Sequence, residues 1–549
     1  MIFTKKSKVP SWIKESSKPS IKNRFLHIDL KGPKIPFEVF SSLLDQLARW
    51  GINGVIVEYE HRIPFLPLFE QFPAYQRYTQ SQIRFLIEKA YSLGIEWIPL
   101  IQTFGHVEYL SRLKGTEFLF ENPQYPSQLC PSKKVVRKYI EELVDYICYL
   151  HPKSRYIHVG QDETRQLGLC DICSKRMKKL GGEIELYLDH ANFVWEQVLK
   201  HGKIPMLWAD MIIGKGRIDL LSKIDRRIIL IPWDYHSTGK TSKDVVYKGY
   251  RPSKKQFHNR YKEAEPFYFF VGKGNFFEDL SEKEIKKIGF DKQTGCPNSF
   301  AQLRLLANTD RPLWGACGLY MSADLQFHAN YIRGVLNPAG MTDFLISKNG
   351  EGIIGTSWAR GHSFAPINAP WTTVLYNIVQ FARITYSGKT GPEHFEKSAK
   401  EVACELDMPE LYDNYWTLDD ICWIISSPSR DKTTTIKNIL DILEKERVSG
   451  CFGEGLKLCL KGEYLQSRIR NIIDETRYWF STRDKMPLSL KNGMSRRFFE
   501  IQQEIKVLKK PLKDYYLRWV GDKNSFSLWW KNLFSHDILL AKGILKKFR

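Results

Sequence analysis

The sequence has no long apolar run. Its longest apolar stretches, such as Ile228–Ile231 and Val55–Val57, are far shorter than the ~20 residues that a transmembrane helix needs. The amino terminus, MIFTKKSKVPSWIKESSKPSIKNRF, is basic but lacks the apolar segment of a secretory signal. These absences predict a soluble, cytoplasmic chain.

Cysteine is also sparse, with 10 scattered residues in 549. One pair, Cys170 and Cys173, has the C-x-x-C spacing of metal or redox sites, but the sequence contains no second such pair. This pattern favours free thiols over a zinc or redox role. The sequence therefore implies no metal and no organic cofactor.

The composition excludes disorder for most of the chain, because 43% of residues are hydrophobic and 13% aromatic. Lys and Arg number 82 against 61 Asp and Glu, which gives a net charge of +21. A charge of this size raises nucleic acid, a membrane surface or an anionic polymer as partners.

Short β-branched runs alternate with amphipathic stretches from about residue 24 to 380. Eight such units predict an α/β fold in the form of a closed (β/α)₈ barrel. The rival is an open doubly wound sheet, which is weakened because no G-x-G-x-x-G fingerprint follows the first strand. The predicted strands are Phe25–Leu30, Gly54–Tyr59, Glu96–Thr103, Tyr156–Gly160, Pro205–Asp210, Arg227–Trp233, Leu313–Gly318 and Gly352–Trp358.

The chain divides into three predicted parts: a basic N-terminal arm over 1–23, the barrel over 24–385 and a helical C-terminal domain over 386–549. Between the sixth and seventh strands lies an unusually long connection, 236–312, rich in Lys, Gly, Tyr and Phe. Long loops on the catalytic rim of a barrel are often functional.

Active residues of such barrels lie at the carboxyl ends of the strands. Among the carboxyl ends of the second to sixth and the eighth predicted strands, five of six carry acids, tryptophans or both. Three indoles from three strands would form an apolar wall with polar tips, which suits the apolar faces and hydroxyl edges of sugars. The aromatic and acidic residues at these ends are Glu58, Glu60, Asp162, Glu163, Trp208, Asp210, Trp233, Asp234, Tyr235 and Trp358.

Asp162 and Glu163 are the most informative of these acids. Glycoside hydrolysis usually needs one carboxyl to protonate the leaving oxygen and a second to act as base or nucleophile. Adjacent residues are better suited to serve different parts of a substrate. We therefore expect Glu163 to act on the glycosidic oxygen while Asp162 binds another substrate group.

The segment His158-Val-Gly-Gln-Asp-Glu163 resembles the H-x-G-x-D-E motif of glycoside hydrolase family 20, the β-N-acetylhexosaminidases. Further motifs resemble the hexosaminidase D branch of that family. They are Phe25–Gly32, Val57–Glu60 with Pro64-Phe65, Gln102–His106, Leu129–Ser132, Trp208–Met211, Trp233–Tyr235 and Gly355–Arg360. The resemblance covers about residues 24–370.

This resemblance implies a (β/α)₈ barrel and a substrate-assisted retaining mechanism. The 2-acetamido oxygen attacks the anomeric carbon, Glu163 acts as acid and then base, and Asp162 orients the acetamido group. His106 would help to set the protonation state of the acid, with Glu58 or Glu60 as its relay partner; the alternative for His106 is a structural histidine.

The resemblance also implies a sugar pocket. Trp208, Trp233 and Trp358 would line it, and Tyr235 would donate to the acetamido oxygen. Asp210 and Asp234 would bind hydroxyls or pair with nearby cations.

Two positions depart from the family pattern. Many members carry Trp-x-Glu after the last strand, where this chain has Trp358-Ala359-Arg360. Many also carry an arginine after the first strand, where this chain offers Asp29 and Lys31. Both positions recognise hydroxyls, so the preference between N-acetylglucosamine and N-acetylgalactosamine stays open.

Three other functions stay open. The first is a two-carboxylate retaining glycosidase that pairs Glu163 with Asp210 or Asp234. The second is a catalytically silent carbohydrate-binding barrel, disfavoured because a lectin needs no proton donor. The third, nucleic-acid binding by the basic C-terminal part, lacks a recognised fold. The expected partner is a glycan containing N-acetylhexosamine, and the excess charge would serve solubility or attraction to anionic glycans.

Overall fold

The structure is a computed structural model that describes most of the chain. Three predicted features lie wholly or partly outside the described residues: the start of the N-terminal arm, the Pro64-Phe65 segment, and most of the long connection 236–312. The described ranges are 9–62, 66–214, 217–237, 244–245, 266–267, 286–289, 298–321, 327–331, 333–391, 394–408, 432–445, 450–482 and 485–547.

Eight parallel strands form one sheet in the order β6-β5-β4-β3-β2-β1-β8-β7. Each predicted strand is present, most of them one to three residues shorter at the carboxyl end. The strands are β1 Asn23–Asp29, β2 Gly54–Glu58, β3 Glu96–Leu100, β4 Tyr156–His158, β5 Ile204–Trp208, β6 Ile229–Ile231, β7 Trp314–Tyr320 and β8 Gly352–Ser357. Two further strands, Asp244–Val245 and Pro266–Phe267, pair as a short antiparallel ladder.

The two outer strands of this order meet just beyond the end of β6. Trp233 forms a parallel bridge with Ala316 of β7. The backbone N–H of Ala316 donates to the carbonyl of Pro232 at 3.0 Å, and the N–H of Asp234 donates to the carbonyl of Ala316 at 3.1 Å. The sheet therefore closes on itself, and the predicted (β/α)₈ barrel is confirmed.

Side chains from alternate strand positions fill the barrel interior, since successive residues of a strand point to opposite faces. Aromatic residues are prominent in this interior, with the rings of Phe25 and Trp314 at a centroid distance of 5.2 Å. The buried residues of the interior cluster are Phe25, Ile56, Ile98, Leu100, Tyr156, Met206, Trp208, Ile229, Ile231, Trp314, Ala316 and Ile354. The opposite faces of the strands pack against the surrounding helices.

Helices follow most of the strands and surround the barrel. Gly51 has φ +89° and Gly94 has φ +72°, so both adopt the left-handed conformation that commonly ends a helix. The helices up to residue 387 are α1 Ser11–Lys14, α2 Phe37–Trp50, α3 Gln80–Ser92, α4 Lys134–Leu150, α5 Asp171–Leu180, α6 Glu183–Lys200, α7 Ala301–Leu306, α8 Arg333–Ser347 and α9 Leu375–Ser387. Short 3₁₀ helices cover Glu60–Arg62, Pro67–Gln71, Ala74–Gln76, Glu108–Arg112, Glu117–Leu119, Ile218–Lys223 and Trp371–Val374.

The described part of the C-terminal region is helical, as predicted, and its last three helices are the longest of the described chain. They build a hydrophobic cluster of their own, to which Phe327 and Ile367 also contribute. The indole N–H of Trp371 donates to the carbonyl of Trp519 at 3.2 Å, which joins this region to the barrel rim. The C-terminal helices are α10 Phe395–Glu405, α11 Lys432–Lys445, α12 Gly450–Thr482, α13 Leu488–Trp519 and α14 Lys523–Lys547.

Within the ranges that the structure describes, no helix has the length and apolar character needed to cross a bilayer. The domain boundaries at residues 23 and 385 stay predictions.

The barrel interior gives a test of packing at Gly54, the first residue of β2. A Cβ at this position would lie 2.2 Å from the ring of Phe25. We expect Gly54→Ala to lower the free energy of unfolding by ~1–3 kcal/mol, because overpacking displaces interior side chains. Chemical denaturation measures this change.

Gly493 supplies the matched control, since it lies in α13 and a Cβ there would meet nothing within 4 Å. Gly493→Ala should stabilise the chain by ~0.5–1 kcal/mol, because alanine restricts the unfolded chain. Equal effects of the two substitutions would contradict the packing described for the barrel interior.

Candidate active site

The loop after β4 has an unusual backbone. Gly160 has φ +69°, and the non-glycine residues Gln161 and Glu163 have φ +72° and +48°. Such conformations cost of order 1–3 kcal/mol for residues with side chains and concentrate at functional sites. Gly160 cannot be replaced easily, because a Cβ there would lie 2.0 Å from Oε1 of Gln102.

Neighbouring elements fix this backbone through buried hydrogen bonds. The indole N–H of Trp195 donates to Oε1 of Gln161 at 2.9 Å, and the Tyr187 hydroxyl donates to the Gln161 carbonyl at 3.1 Å. The backbone N–H of Glu163 donates to Oδ2 of Asp210 at 3.0 Å. The two carboxyl side chains of Asp162 and Glu163 are therefore presented from a constrained loop.

The loop after β3 comes into direct contact with the loop after β4. A Cβ on Gly105 would lie 2.4 Å from the backbone carbonyl oxygen of Asp162, so only glycine allows this approach. The next residue, His106, has φ +54°. Its Nε2 lies 3.3 Å from Oδ2 of Asp162 and 3.5 Å from Oε2 of Glu163. The structure thus brings together three residues that the sequence analysis predicted to be catalytic.

The charges of this trio are coupled. Burial disfavours the charged imidazole, but Asp162 and Glu163 outweigh it and raise the pKa of His106 well above its usual value. The hydrogen bond from His106 is the largest cause that lowers the pKa of Glu163. His106 and Glu163 therefore each stabilise the charged form of the other.

The two adjacent carboxyls have different surroundings. Asp162 is 6% exposed, and its Oδ1 is buried without a hydrogen-bond partner. The Glu163 side chain is 35% exposed, and its Oε1 accepts a hydrogen bond from Nη2 of Arg165 at 2.6 Å. An inward-facing free acceptor and a solvent-accessible acid are thus presented side by side.

Aromatic rings lie close to one another at the same end of the barrel. The Trp208 and Trp358 rings have centroids 5.9 Å apart, and the Trp233 and Tyr235 rings stack at 5.2 Å. Trp208 is fully buried, whereas Trp233 and Trp358 are partly exposed. The indole N–H groups of Trp208 and Trp358 have no hydrogen-bond partner. Burial raises the pKa of Tyr235 well above its usual value, so its phenol is a proton-bearing donor.

Asp210 and Asp234 are already engaged by the protein. Asp210 accepts the Glu163 backbone N–H and, through Oδ1, the indole N–H of Trp233 at 3.4 Å. Burial raises the pKa of Asp210 to about 7. Asp234 accepts hydrogen bonds from the backbone N–H groups of His236 and Ser237, and from the Ser237 hydroxyl at 2.6 Å. Asp210 thus supports the loop after β4, and Asp234 stabilises its own turn.

A buried ionic cluster occupies the ends of β1 and β2. Nζ of Lys31 lies 2.7 Å from Oε2 of Glu58 and 3.2 Å from Oδ2 of Asp29. Glu58 also contacts Nε2 of His27 at 3.1 Å and accepts from Gln102 at 2.9 Å. Burial opposes ionisation of Glu58, but Lys31 overcomes it and lowers the pKa. Lys31 also lies 4.6 Å from the centre of the Trp358 ring.

Asp29 links this cluster to the loop after β8. Its Oδ2 accepts the backbone N–H of Ala359 at 2.9 Å, and its Oδ1 accepts the N–H of Lys31 at 2.7 Å. Arg360 donates to the carbonyl of Ala365 through Nε at 2.9 Å. Asp29 and Arg360, which stand at the two positions that depart from the family pattern, therefore both form hydrogen bonds within the rim loops.

The predicted relay between His106 and Glu58 or Glu60 is not formed. The partners of Glu58 are those of the ionic cluster, and Glu60 accepts from the Ser363 hydroxyl at 2.7 Å and lies 3.5 Å from His61. The contacts of His106 are instead with Asp162 and Glu163 directly. Two carboxyls in contact with the imidazole thus raise its pKa in place of the expected relay partner.

His158 of the motif lies inside the barrel against Trp208, with ring centroids 4.4 Å apart. Burial lowers its pKa to about 3, so the imidazole is neutral. Its Nδ1 accepts the backbone N–H of Gly160 at 3.1 Å. His158 therefore fixes the backbone at the start of the loop after β4.

Sequence reasoning did not identify Arg165 as a site residue. Its side chain is 77% exposed and contacts Glu163 directly. The available signal was its position two residues after Glu163 in the same loop.

Residues with metal-ligand geometry form one group in the described part of the chain: Glu121, Cys130, Cys170 and Cys173. Glu121 and Cys130 lie on the loop after β3, and Cys170 and Cys173 lie where the loop after β4 enters α5.

Comparison with known proteins shows that the part of the chain that carries this site is similar to a known family. Residues 60–256 match the model described as the catalytic domain of glycosyl hydrolase family 20. This span includes His106, Asp162 and Glu163, but it is shorter than the span of motifs predicted from the sequence.

Two curated relatives carry the name hexosaminidase D. The bovine protein (Bos taurus) is 29% identical over 222 residues, which cover 39% of this chain and 62% of that protein. The human protein (Homo sapiens) is 27% identical over 216 residues, which cover 39% of this chain and 44% of that protein. The matched regions thus span about half the length of these relatives.

Among solved structures, the Flavobacterium johnsoniae chitobiase has a similar fold. The comparison has a TM-score of 0.50 at 15% identity and covers 96% of this chain and 72% of the other. The resemblance of this chain to glycosyl hydrolase family 20, and to its hexosaminidase D branch, is thereby confirmed.

Proposed function

We propose that this chain is an exo-acting β-N-acetylhexosaminidase that releases terminal N-acetylglucosamine or N-acetylgalactosamine from glycans. The observation that carries the proposal is the unequal environment of the adjacent carboxyls in contact with His106. Asp162 offers a buried, unpartnered oxygen, and Glu163 offers an accessible carboxyl. The family match and the names of the relatives support the same activity.

In the proposed mechanism, the acetamido oxygen of the substrate attacks the anomeric carbon as the glycosidic bond breaks. Glu163 donates a proton to the leaving oxygen, and the intermediate is an oxazolinium ion. Asp162 Oδ1 accepts the acetamido N–H and stabilises the positive charge that develops on it. Glu163, now ionised, takes a proton from the water that opens the ring, so the anomeric configuration is retained.

The aromatic side chains would hold the sugar and its acetamido group. Trp233 and Tyr235 stack on each other beside Asp210, and Trp358 lies over Lys31. The Tyr235 phenol retains its proton and can donate to the acetamido oxygen. This donor and the Asp162 acceptor would orient the nucleophile for attack.

Asp210 and Asp234 suit the two-carboxylate alternative poorly. A nucleophilic carboxylate must be ionised and free, but both Asp234 oxygens accept hydrogen bonds within its turn. Asp210 carries a raised pKa of about 7 and anchors the Glu163 backbone. A silent binding barrel is disfavoured because a lectin has no use for the proton donor at Glu163.

Substitution of the two carboxyls tests their separate roles. We expect Glu163→Gln to lower kcat by ~10²–10⁴-fold, because proton donation is lost. The loss should shrink on an aryl glycoside with a strongly acidic phenol, whose departure needs no proton. Asp162→Asn should lower kcat by ~10²–10³-fold on both aryl glycosides, because charge stabilisation is lost whichever group leaves.

Steady-state release of the phenol from aryl N-acetylglucosaminides measures both effects. Glu117→Gln is the control, since Glu117 is exposed on the loop after β3 and should leave kcat unchanged. Full activity of Glu163→Gln would refute the assignment of the acid.

The role of the acetamido group is tested with substrates that differ only at C2. We expect a plain aryl glucoside or galactoside to react at least ~10⁴-fold more slowly, because an oriented internal nucleophile is missing. Measurement of kcat/KM on matched 2-acetamido and 2-hydroxy glycosides gives this ratio. Efficient cleavage of the plain glycoside would instead favour the two-carboxylate mechanism.

Arg165 gives a prediction about pH. Together with the larger effect of His106, it lowers the pKa of Glu163, and the acid must be protonated to act. We therefore expect Arg165→Gln to raise that pKa and to move the alkaline limb of kcat/KM to higher pH. The shift should be less than about one pH unit, because the exposed ion pair is screened by solvent.

High salt should shift the wild-type profile in the same direction and leave the Arg165→Gln profile nearly unchanged. Arg155→Gln removes the same charge just before β4, at the opposite end of the barrel, and should leave the profile in place. A downward shift in Arg165→Gln would contradict the proposed protonation of Glu163.

The substrate is proposed to be a glycan with a terminal N-acetylhexosamine. The cytoplasmic location and the absence of a nucleic-acid partner stay predictions from the sequence, as does the division into an arm, a barrel and a helical domain. If the net charge of +21 attracts anionic glycans, the affinity for them will fall with salt.

A further inference from the structure

Three cysteines and one glutamate meet where the loops after β3 and β4 run side by side. Sγ of Cys130 lies 3.4 Å from Sγ of Cys173 and 3.8 Å from Sγ of Cys170. A carboxylate oxygen of Glu121 joins them, and the four ligand atoms all lie within 4.8 Å of one another. Cys130, Cys173 and Glu121 are buried, and Cys170 is partly buried.

These distances agree with a tetrahedral zinc ion. With Zn–S bonds of ~2.3 Å, tetrahedral coordination separates two sulfurs by about 3.8 Å. The two sulfur–sulfur distances from Cys130 are close to this value. Three sulfurs and one oxygen give the four ligands that structural zinc sites contain. Soft thiolate ligands select zinc over calcium or magnesium.

The carboxyl of Glu121 provides an independent sign of a missing ligand. Its Oε1 accepts the backbone N–H of Cys170 at 3.0 Å, which orients the group, while its Oε2 is buried without a hydrogen-bond partner. Glu121 itself is 3% exposed. A buried carboxyl oxygen without a hydrogen-bond partner is costly, and coordination of a cation removes that cost.

The surrounding groups can stabilise thiolates. Cys170 precedes the first residue of α5, and the backbone N–H of Cys173 lies 3.4 Å from its sulfur as a donor. The Ser132 hydroxyl lies 3.0 Å from Sγ of Cys173 and can donate to it once the thiol has lost its proton. The positive end of the α5 dipole favours negative charge at the same place.

We propose that Glu121, Cys130, Cys170 and Cys173 bind one structural zinc ion that fastens the loop after β3 to the loop after β4. Each thiol would release its proton to solvent as the ion binds. The ion would not take part in the proposed reaction. It would act by positioning the two loops relative to each other. It would join the segment that carries His106 to the segment that carries Asp162 and Glu163.

The sequence alone could not indicate this site. Only Cys170 and Cys173 have a recognisable spacing, and the partner cysteine comes from another loop, 40 residues earlier. The proposal is independent of the proposed glycosidase activity, because the metal content is measured without substrate.

Metal analysis of the full chain tests the proposal. The chain is purified under reducing conditions, equilibrated with zinc sulfate and dialysed against a weak chelator. We expect about one zinc per chain in the wild type, and loss of that zinc in Cys130→Ser and Cys173→Ser. Cys404→Ser, which removes an exposed cysteine of α10, should retain the zinc. Glu121→Gln should weaken zinc binding by at least ~10-fold in a chelator competition.

Cobalt substitution of the wild-type chain keeps the test valid if the serine variants fail to fold. Thiolate-to-cobalt charge-transfer absorption together with intense d–d bands is expected for tetrahedral sulfur coordination. A reduced wild-type chain that retains less than about a tenth of an equivalent of zinc would overturn the proposal. A disulfide between Cys130 and Cys173 in the reduced, zinc-equilibrated protein, or zinc retention in both serine variants, would overturn it as well.

Discussion

The close approach of two loop backbones at Gly105 is the constraint on which the candidate site depends. No side chain fits between Gly105 and the carbonyl of Asp162, where a Cβ would lie 2.4 Å from the oxygen. This contact brings His106 within 3.5 Å of the carboxyls of both Asp162 and Glu163. Buried hydrogen bonds from α6 and from Asp210 stabilise the left-handed conformations that the loop after β4 requires. The position of the acids is therefore determined by packing of the backbone as much as by their own side chains.

The rim of the barrel contains more acidic side chains than the proposed reaction needs. Their hydrogen-bond and ion-pair partners distinguish them from one another. Glu58 is ionised against Lys31 in the interior, and Asp234 stabilises the turn that follows β6. Asp210 supports the backbone of Glu163. In the remaining pair, Oδ1 of Asp162 lacks a hydrogen-bond partner and the Glu163 side chain reaches solvent. Differences in desolvation and hydrogen bonding thus give chemically identical groups different roles.

The sequence predicted the barrel because each strand is a short β-branched run with a helix after it, and such patterns depend on local residues. The resemblance to glycoside hydrolase family 20 implied that His106 acts on the acid, and the structure places His106 in contact with Asp162 and Glu163. The sequence could not show which acid pairs with which cation. Glu58 or Glu60 was expected to be the relay partner of His106, but Glu58 forms an ion pair with Lys31, which compensates its charge in the interior.

Contacts between distant segments were the other unpredictable part. Cys130 was placed within a motif of the loop after β3, and nothing in its local sequence indicates that it meets Cys170 and Cys173. The same holds for Trp519, whose carbonyl accepts the indole N–H of Trp371 from the barrel rim. Such contacts follow from the packing of loops and helices, which periodicity does not encode.

The two rim loops are joined at several separate places. At the mouth, Gly105 packs against the carbonyl of Asp162. Further out, the Gln128 side chain accepts the backbone N–H of Gln166 at 2.9 Å. Beyond it, Cys130 meets the start of α5. A segment that is fixed at both ends loses little conformational entropy when substrate binds, so the position of His106 against the acids is set before the reaction begins. The cysteine cluster therefore lies where a bound ion would restrict both rim loops at a place separate from His106, Asp162 and Glu163.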